Sequence, residues 1–141
     1  MIHQTELLAE LLKLGKLKPQ REVKSSLTFH DPCYLGRHHG AYDAPRAILN
    51  SIPGLEIHEM AKAQDRARCC GMGGGNMWYD LPEGEHLAHN RLRDIAEVSK
   101  EKLATACPYC MINFNSAKDH IETTANMDVE DVSSILAKSV L

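Results

Sequence analysis

The chain has 141 residues, 43% of them apolar and 25% charged, with a net charge of −3. That size allows one domain with a core of its own, burying roughly two-thirds of the surface an unfolded chain would expose. Its 16 Lys and Arg are outnumbered by 19 Asp and Glu and do not cluster, which argues against a nucleic-acid surface. No apolar run approaches the ~18 residues of a membrane span, and no signal-peptide pattern is read at the N-terminus. A cytoplasmic protein is expected, in a reducing compartment where thiols persist, with any membrane association coming through a partner.

In chain order, residues 5–14 read as a short helix: Leu7, Leu8, Leu11 and Leu12 share a face, Thr5 is a plausible N-cap and Gly15 a stop. Residues 16–24 are basic, contain Pro19 and look like a linker. Residues 26–30 alternate as a strand and end at Asp31-Pro32, so Cys33 sits just past a strand end. Asp43 is expected to cap a helix with Pro45 in its first turn, running to about Ser51. Pro53-Gly54 is a turn, and residues 55–60 a second strand. A glycine-rich stretch follows Cys70. Pro82-Glu83-Gly84 precedes an expected long helix over 85–100, whose partly apolar face carries Leu87, Leu92, Ile95, Ala96 and Val98. Residues 103–106 read as a short buried strand, Pro108 starts another helix through Ala117, and a strand over 127–129 leads into a C-terminal helix ending near Val140.

Alternating strands and helices predict an α/β fold of three layers, a short parallel sheet flanked by helices. In such sheets ligands lie outside the carboxyl ends of the strands. Two of the chain's three cysteine-bearing loops fall there.

Those cysteines are the most informative feature. They are Cys33, the adjacent Cys69-Cys70, and Cys107-Pro108-Tyr109-Cys110, with 35 residues between the first and second groups and 36 between the second and third. An odd number of thiols cannot pair off completely. A tight C-x-x-C and an adjacent C-C gather several sulfurs around one point, as metals and iron–sulfur clusters require. Glycine or proline flanks each group. Three loops meeting at one inorganic cofactor is the economical expectation.

The phrases around the cysteines carry a resemblance. His30-Asp31-Pro32-Cys33-Tyr34-Leu35-Gly36-Arg37, Tyr42-Asp43-Ala44-Pro45-Arg46, the run from Cys69 to Gly75, and Thr105-Ala106-Cys107-Pro108-Tyr109-Cys110 resemble the cysteine-rich CCG domain of heterodisulfide reductases and related iron–sulfur oxidoreductases. The likeness is greatest to the C-terminal CCG domain of the D-type heterodisulfide reductase and of membrane-linked iron–sulfur oxidoreductases, and it extends over almost the whole chain. It implies that Cys33, Cys69, Cys70, Cys107 and Cys110 are the ligands of a non-cubane [4Fe-4S] cluster at which a disulfide is reductively cleaved. It further implies a 1–24 segment of helix and linker, then a single CCG domain over 25–141, as the C-terminal part of a longer protein. The partners it implies are a second CCG domain, a ferredoxin-like region or other redox subunits, a membrane-bound partner, and a disulfide or thiol substrate. Catalysis by this domain in isolation is not expected. Relay domains of glycolate, lactate or glycerol-3-phosphate dehydrogenase systems share the pattern.

Thiolates suit either iron–sulfur chemistry or zinc. Five around one Zn²⁺ leave one over, whereas an expanded cluster can use all five; a closed Cys₄ zinc site serving structure or the docking of other subunits is the alternative. Gly71, Gly73 and Gly74 would let backbone approach a bulky cofactor and aim N–H groups at its sulfurs. The glycine run does not make a dinucleotide fingerprint, because Asn76 stands where G-x-G-x-x-G needs glycine. His30 could donate a proton to a departing thiolate or merely cap a strand end. His38 and His39 beside Arg37 make either a cationic patch or an ordinary solvated loop. Arg37 and Arg46 read as members of structural ion pairs. Trp78 and Tyr79 either shield the site or anchor the core. His58, His86, His89 and His120 carry no expected ligand role.

Overall fold

Four short runs of extended backbone lie side by side and all point the same way. The computed structural model describes residues 1–79, 81–82, 86–99 and 101–141. In chain order its main elements are α1 (Gln4–Lys13), β1 (Ser25–His30), α2 (Asp43–Asn50), β2 (Leu55–Ile57), α3 (Leu87–Ala96), β3 (Lys102–Thr105), α4 (Pro108–Ala117), β4 (Asp128–Asp131) and α5 (Val132–Val140). The sheet order is β2-β1-β3-β4, with every pairing parallel. This is the expected three-layer α/β architecture.

The alternation along β1 builds both faces. Leu27 and Phe29 point into a cluster with Ile48 and Leu49 of α2, Ala104 of β3, and Ile135 and Leu136 of α5. The opposite face carries Leu103 and Val129, which pack with Leu92 and Ile95 of α3 and Phe114 of α4. Thr28 and His30 point to this second face, because Thr28 sits opposite Leu103 and His30 opposite Thr105. Leu27 and Phe29 are both 0% exposed, and burial of an apolar side chain to that degree contributes about 1.5–3 kcal/mol each.

Several boundaries differ from the expectations. The N-cap of α1 is His3, not Thr5: the His3 ring accepts from the Thr5 N–H while Glu6 accepts from the His3 N–H, a reciprocal capping box. Leu8, Ala9 and Leu12 of α1, with Leu17 and Val23 behind it, pack onto the first core cluster, and Gln20 and Arg21 donate to the Ser139 carbonyl. The basic 16–24 stretch is thereby bound to the domain. Tyr42, not Asp43, is the residue before α2. β2 ends at Ile57 because it is an edge strand, and only three of its residues pair with β1. α3 runs only from Leu87 to Ala96; positions 85 and 100 of the expected longer helix, and Glu83-Gly84 before it, lie outside the described residues. β4 begins one residue later and runs to Asp131, whose carboxylate then caps α5 by accepting from the Ser133 N–H at 2.8 Å.

The order of the strands places the site. From β1 the chain steps outward to β2, then returns to lay β3 on β1's other side and continues to β4. The direction of winding reverses between β1 and β3, and a crevice opens outside their carboxyl ends at such a reversal. Cys33 follows β1 by three residues and Cys107 follows β3 by two.

Candidate metal centre

Three loops deliver the five cysteines to that crevice. The first leaves β1 through Asp31-Pro32 and enters a single π-turn over Tyr34–His38, with the His38 N–H donating to the Cys33 carbonyl. Gly36 is required inside it, since a Cβ there would lie 2.5 Å from the Tyr42 ring. Arg46 holds the base of this loop. Its guanidinium meets both carboxylate oxygens of Asp31 at 2.7 and 2.9 Å, donates also to Glu59, and stacks 5.2 Å above the Phe29 ring. Asp31 in turn accepts from the Gln64 N–H. The expected ion pair of Arg46 is therefore present. Arg37 differs: it donates to the Ala67 carbonyl at 2.9 Å and ties the first cysteine loop to the second.

In the second loop Gly71 has φ +88°, open to glycine at little cost, and a Cβ there would meet the Leu87 side chain at 2.8 Å. That conformation turns the Gly71 N–H onto Cys69 Sγ at 3.3 Å. Asn113 of α4 clamps the same loop by donating to the Cys70 carbonyl at 2.6 Å. The third loop is the start of α4 itself. Cys107 is its N-cap residue in extended conformation, Pro108 follows at the first helical position, and Cys110 is carried one turn on into the core.

Cys70 and Cys110 are buried, whereas Cys33, Cys69 and Cys107 are partly exposed; none is in a disulfide. A ring nitrogen of His30 and the sulfurs of Cys70 and Cys110 all lie within 4.8 Å of one another. The sulfurs polarise one another. Hydrogen bonds from the Cys110 and Cys69 thiols hold Cys70 far below the ordinary thiol range. The Cys110 thiol, helped by the Cys110 and Tyr109 N–H groups at the helix start, lowers Cys107 to about 6 against the opposing effect of burial. Donation to Cys70 pushes Cys69 up, and donation to Cys107 and Cys70 pushes Cys110 up. Cys33 stands close enough to Cys69 for its charge to be felt there. Thiols that polarise one another in this way suit the exchange of their protons for a soft cation or cluster.

Burial lowers the His30 pKa, with Cys70 opposing and Arg91 adding to the shift. Its ring packs edge-on against Phe114 at 4.9 Å, and Arg91 Nε donates to Nδ1 at 3.3 Å. His30, the last residue of β1, is 1% exposed. Its Nε2 has no partner, nor have Thr28 Oγ1, Thr105 Oγ1 and Arg91 Nη2; these are the buried side-chain polar atoms without partners among the described residues. Buried polar atoms are rarely left unsatisfied. Their concentration beside five thiols is what a site built around a further group requires.

Other expectations fare differently. Trp78 and Tyr79 are 80% and 70% exposed and do not anchor the core. His39 is taken up by Glu6 of α1 at 2.9 Å, and His38 stacks on Tyr34, so the pair is not a free cationic patch. His86, His89 and His120 stack in sequence at 4.9 and 5.4 Å, and His86 and His89 line a cavity together with Cys70 and Asn113. Arg91 and Asn113 are contributions that sequence reasoning missed. For Arg91 a signal existed, three residues after Ala88 and four before Ile95 on the buried face of α3. Open clefts reach the sulfurs from outside. One of about 460 Å³ is bounded by Tyr34, Leu35, His39, Cys107 and Pro108; another of about 590 Å³ is bounded by Arg37, Arg68, Cys69 and Asn90.

Comparison with known proteins places the chain among cysteine-rich domains. The model of the CCG cysteine-rich domain family matches residues 27–115. A probable iron–sulfur-binding oxidoreductase, FadF, of Bacillus subtilis is 40% identical over 99% of this chain and 20% of its own length. The D-type component of the dihydromethanophenazine:CoB–CoM heterodisulfide reductase of Methanosarcina barkeri is 35% identical over 99% of this chain and 34% of its own. The EtfAB:quinone oxidoreductase of Syntrophomonas wolfei is 35% identical over 98% of this chain and 20% of its own. No solved structure matches. The chain thus spans about a fifth to a third of the length of these curated relatives, and it belongs to the CCG cysteine-rich domain family.

Proposed function

We propose that Cys33, Cys69, Cys70, Cys107 and Cys110 hold a non-cubane [4Fe-4S] cluster. The domain would pass electrons between that cluster and a disulfide or thiol, or a quinone- or flavin-linked partner. The observation that supports this reading is the convergence of Cys69, Cys70, Cys107 and Cys110, which polarise one another, at the β1/β3 reversal, with Cys33 close to Cys69 and the Nε2 of His30 without a partner among the described residues. When bound, the cluster supplies one-electron chemistry and a soft iron centre for sulfur. The chain's own residues do the rest. Arg46 and Asp31 fix the first loop, Gly71 aims its N–H at sulfur, and Asn113 sets the second loop against α4. The domain, taken as residues 25–141, works with a second CCG domain, a ferredoxin-like region or other redox subunits. Membrane association, where it occurs, would come through a partner; among the described residues no helix is long and apolar enough to cross a membrane.

Anaerobic reconstitution followed by iron and sulfide determination tests the reading. About four irons and four acid-labile sulfides per chain are expected, with the cluster spectrum lost in Cys69→Ser or Cys70→Ser. One zinc and no sulfide would instead establish the closed Cys₄ alternative. A spectrum unchanged by either substitution would remove the ligand assignment.

A further inference from the structure

His30, Cys70 and Cys110 together form a set that could ligate a metal through nitrogen and sulfur. Whether His30 is a ligand turns on where its one proton sits. A neutral imidazole has one N–H and one lone pair, on opposite nitrogens. Arg91 Nε always bears hydrogen, and it points at His30 Nδ1 at 3.3 Å in a pocket where Arg91 is 0% exposed and His30 1%. Two N–H groups cannot face each other there, so Nδ1 holds the lone pair and Nε2 holds the proton. A histidine that ligates metal normally donates its other N–H to a carboxylate, carbonyl or water; here that place is taken by a cationic donor.

We propose that Arg91 is a positioning residue that makes His30 a hydrogen-bond donor to the sulfurs of the cysteine site and prevents it from becoming a ligand. The Arg91 guanidinium is itself anchored, donating to the Lys62 carbonyl at 2.8 Å and lying 3.5 Å from Asp94. Phe114 holds the imidazole plane from the side. The Nε2–H, unpartnered among the described residues, is left for a thiolate or an inorganic sulfur. A donor on sulfur stabilises the more negatively charged, reduced form and raises reduction potential. Arg91 thus acts on the centre through His30. The second half of this inference rests on the cluster reading; the first half does not.

Nitrogen-15 NMR of the metal-free chain tests the lock by itself. The expected result is the Nε2–H tautomer for His30, mixed tautomers in Arg91→Met, and recovery in Arg91→Lys, which keeps a donor. A proton on Nδ1 in the unaltered chain overturns the proposal, even if Arg91→Met does not fold. In the iron-loaded chain, His30→Phe should lower the reduced-to-oxidised ratio at fixed potential by about tenfold, equivalent to about 59 mV for one electron. His30→Gln, which retains an N–H, should recover most of it. Pulsed EPR on protein with nitrogen-15 histidine should show weak coupling; the strong coupling of a directly bound imidazole overturns the proposal, as does an unshifted potential in His30→Phe. Failure of every form to take up iron would strike the cluster reading, while the tautomer measurement would still decide the lock.

Discussion

The two faces of the sheet are made from the same strands and serve opposite ends. On one, Leu27, Phe29, Ala104 and Ala106 meet α2 and α5 in an apolar layer. On the other, one residue out of step, Thr28, His30 and Thr105 leave hydroxyl and imidazole atoms without partners, and a buried arginine reaches in from α3. The period of two along a strand lets a single segment serve both purposes. The first face stabilises the fold; the second tolerates unsatisfied polar groups, which cost stability, where the cysteines gather.

Substitutions can break this contrast or sharpen it. The largest effect is expected on the apolar face: Phe29→Ala should cost about 3–5 kcal/mol in chemical denaturation, through lost burial and a cavity that α2 and α5 cannot fill. Next comes the clamp at the rim between the faces. Arg46→Met leaves the Asp31 carboxylate, 3% exposed, with the Gln64 N–H but without its cationic partner and should cost about 3 kcal/mol by the same measurement. On the polar face the sign should reverse. Thr28→Val replaces a buried hydroxyl that has no partner with a methyl group and should stabilise the metal-free chain by about 1 kcal/mol; a loss of stability would mean that the hydroxyl is satisfied and the two faces are less different than described.

The smallest effect lies at the sheet edge. Burial of Glu130 opposes its ionisation, but hydrogen bonds with Asp128, Lys102 and Lys138 outweigh this and lower it to about 2 from the usual 4.5. A carboxylate lowered on folding adds stability above its unfolded pKa and loses it as pH falls through the folded one. Glu130→Gln should therefore cost no more than about 1 kcal/mol at neutral pH, and the difference should fade in melts taken between pH 4.5 and 2. A difference that persists unchanged across that range would assign the effect to packing.

Much of this arrangement is legible in the residues. Strand alternation and proline place β1, β3 and α4 closely, and with them the positions of Cys33 and Cys107 at strand ends. The features that sequence reasoning misses have a weak local signature or none. A π-turn at Tyr34–His38 has no hydrophobic period, and a histidine is a rare partner for a capping glutamate, so Thr5 is the more obvious start for α1. Arg91 has the spacing of a buried position between Ala88 and Ile95, but its charge within Asn90-Arg91-Leu92-Arg93-Asp94 reads as solvated until the helix is placed against His30 of a strand 61 positions earlier. Sequence shows which thiols could meet; only the tertiary packing shows what stands behind them.

The pairing of β1 with β3 has a consequence for the order of events during synthesis. Thr28 lies beside Leu103, 75 positions further on, and until that closure occurs Cys33 has no reason to be near Cys107. Closing so long a segment is slow compared with local helix formation. On a ribosome, the first three thiols emerge well before the last two and wait without their neighbours. A metal or cluster held by all five sulfurs would therefore have to wait for the pairing of β1 with β3, and a carrier that met the nascent chain earlier would find an incomplete set of sulfurs.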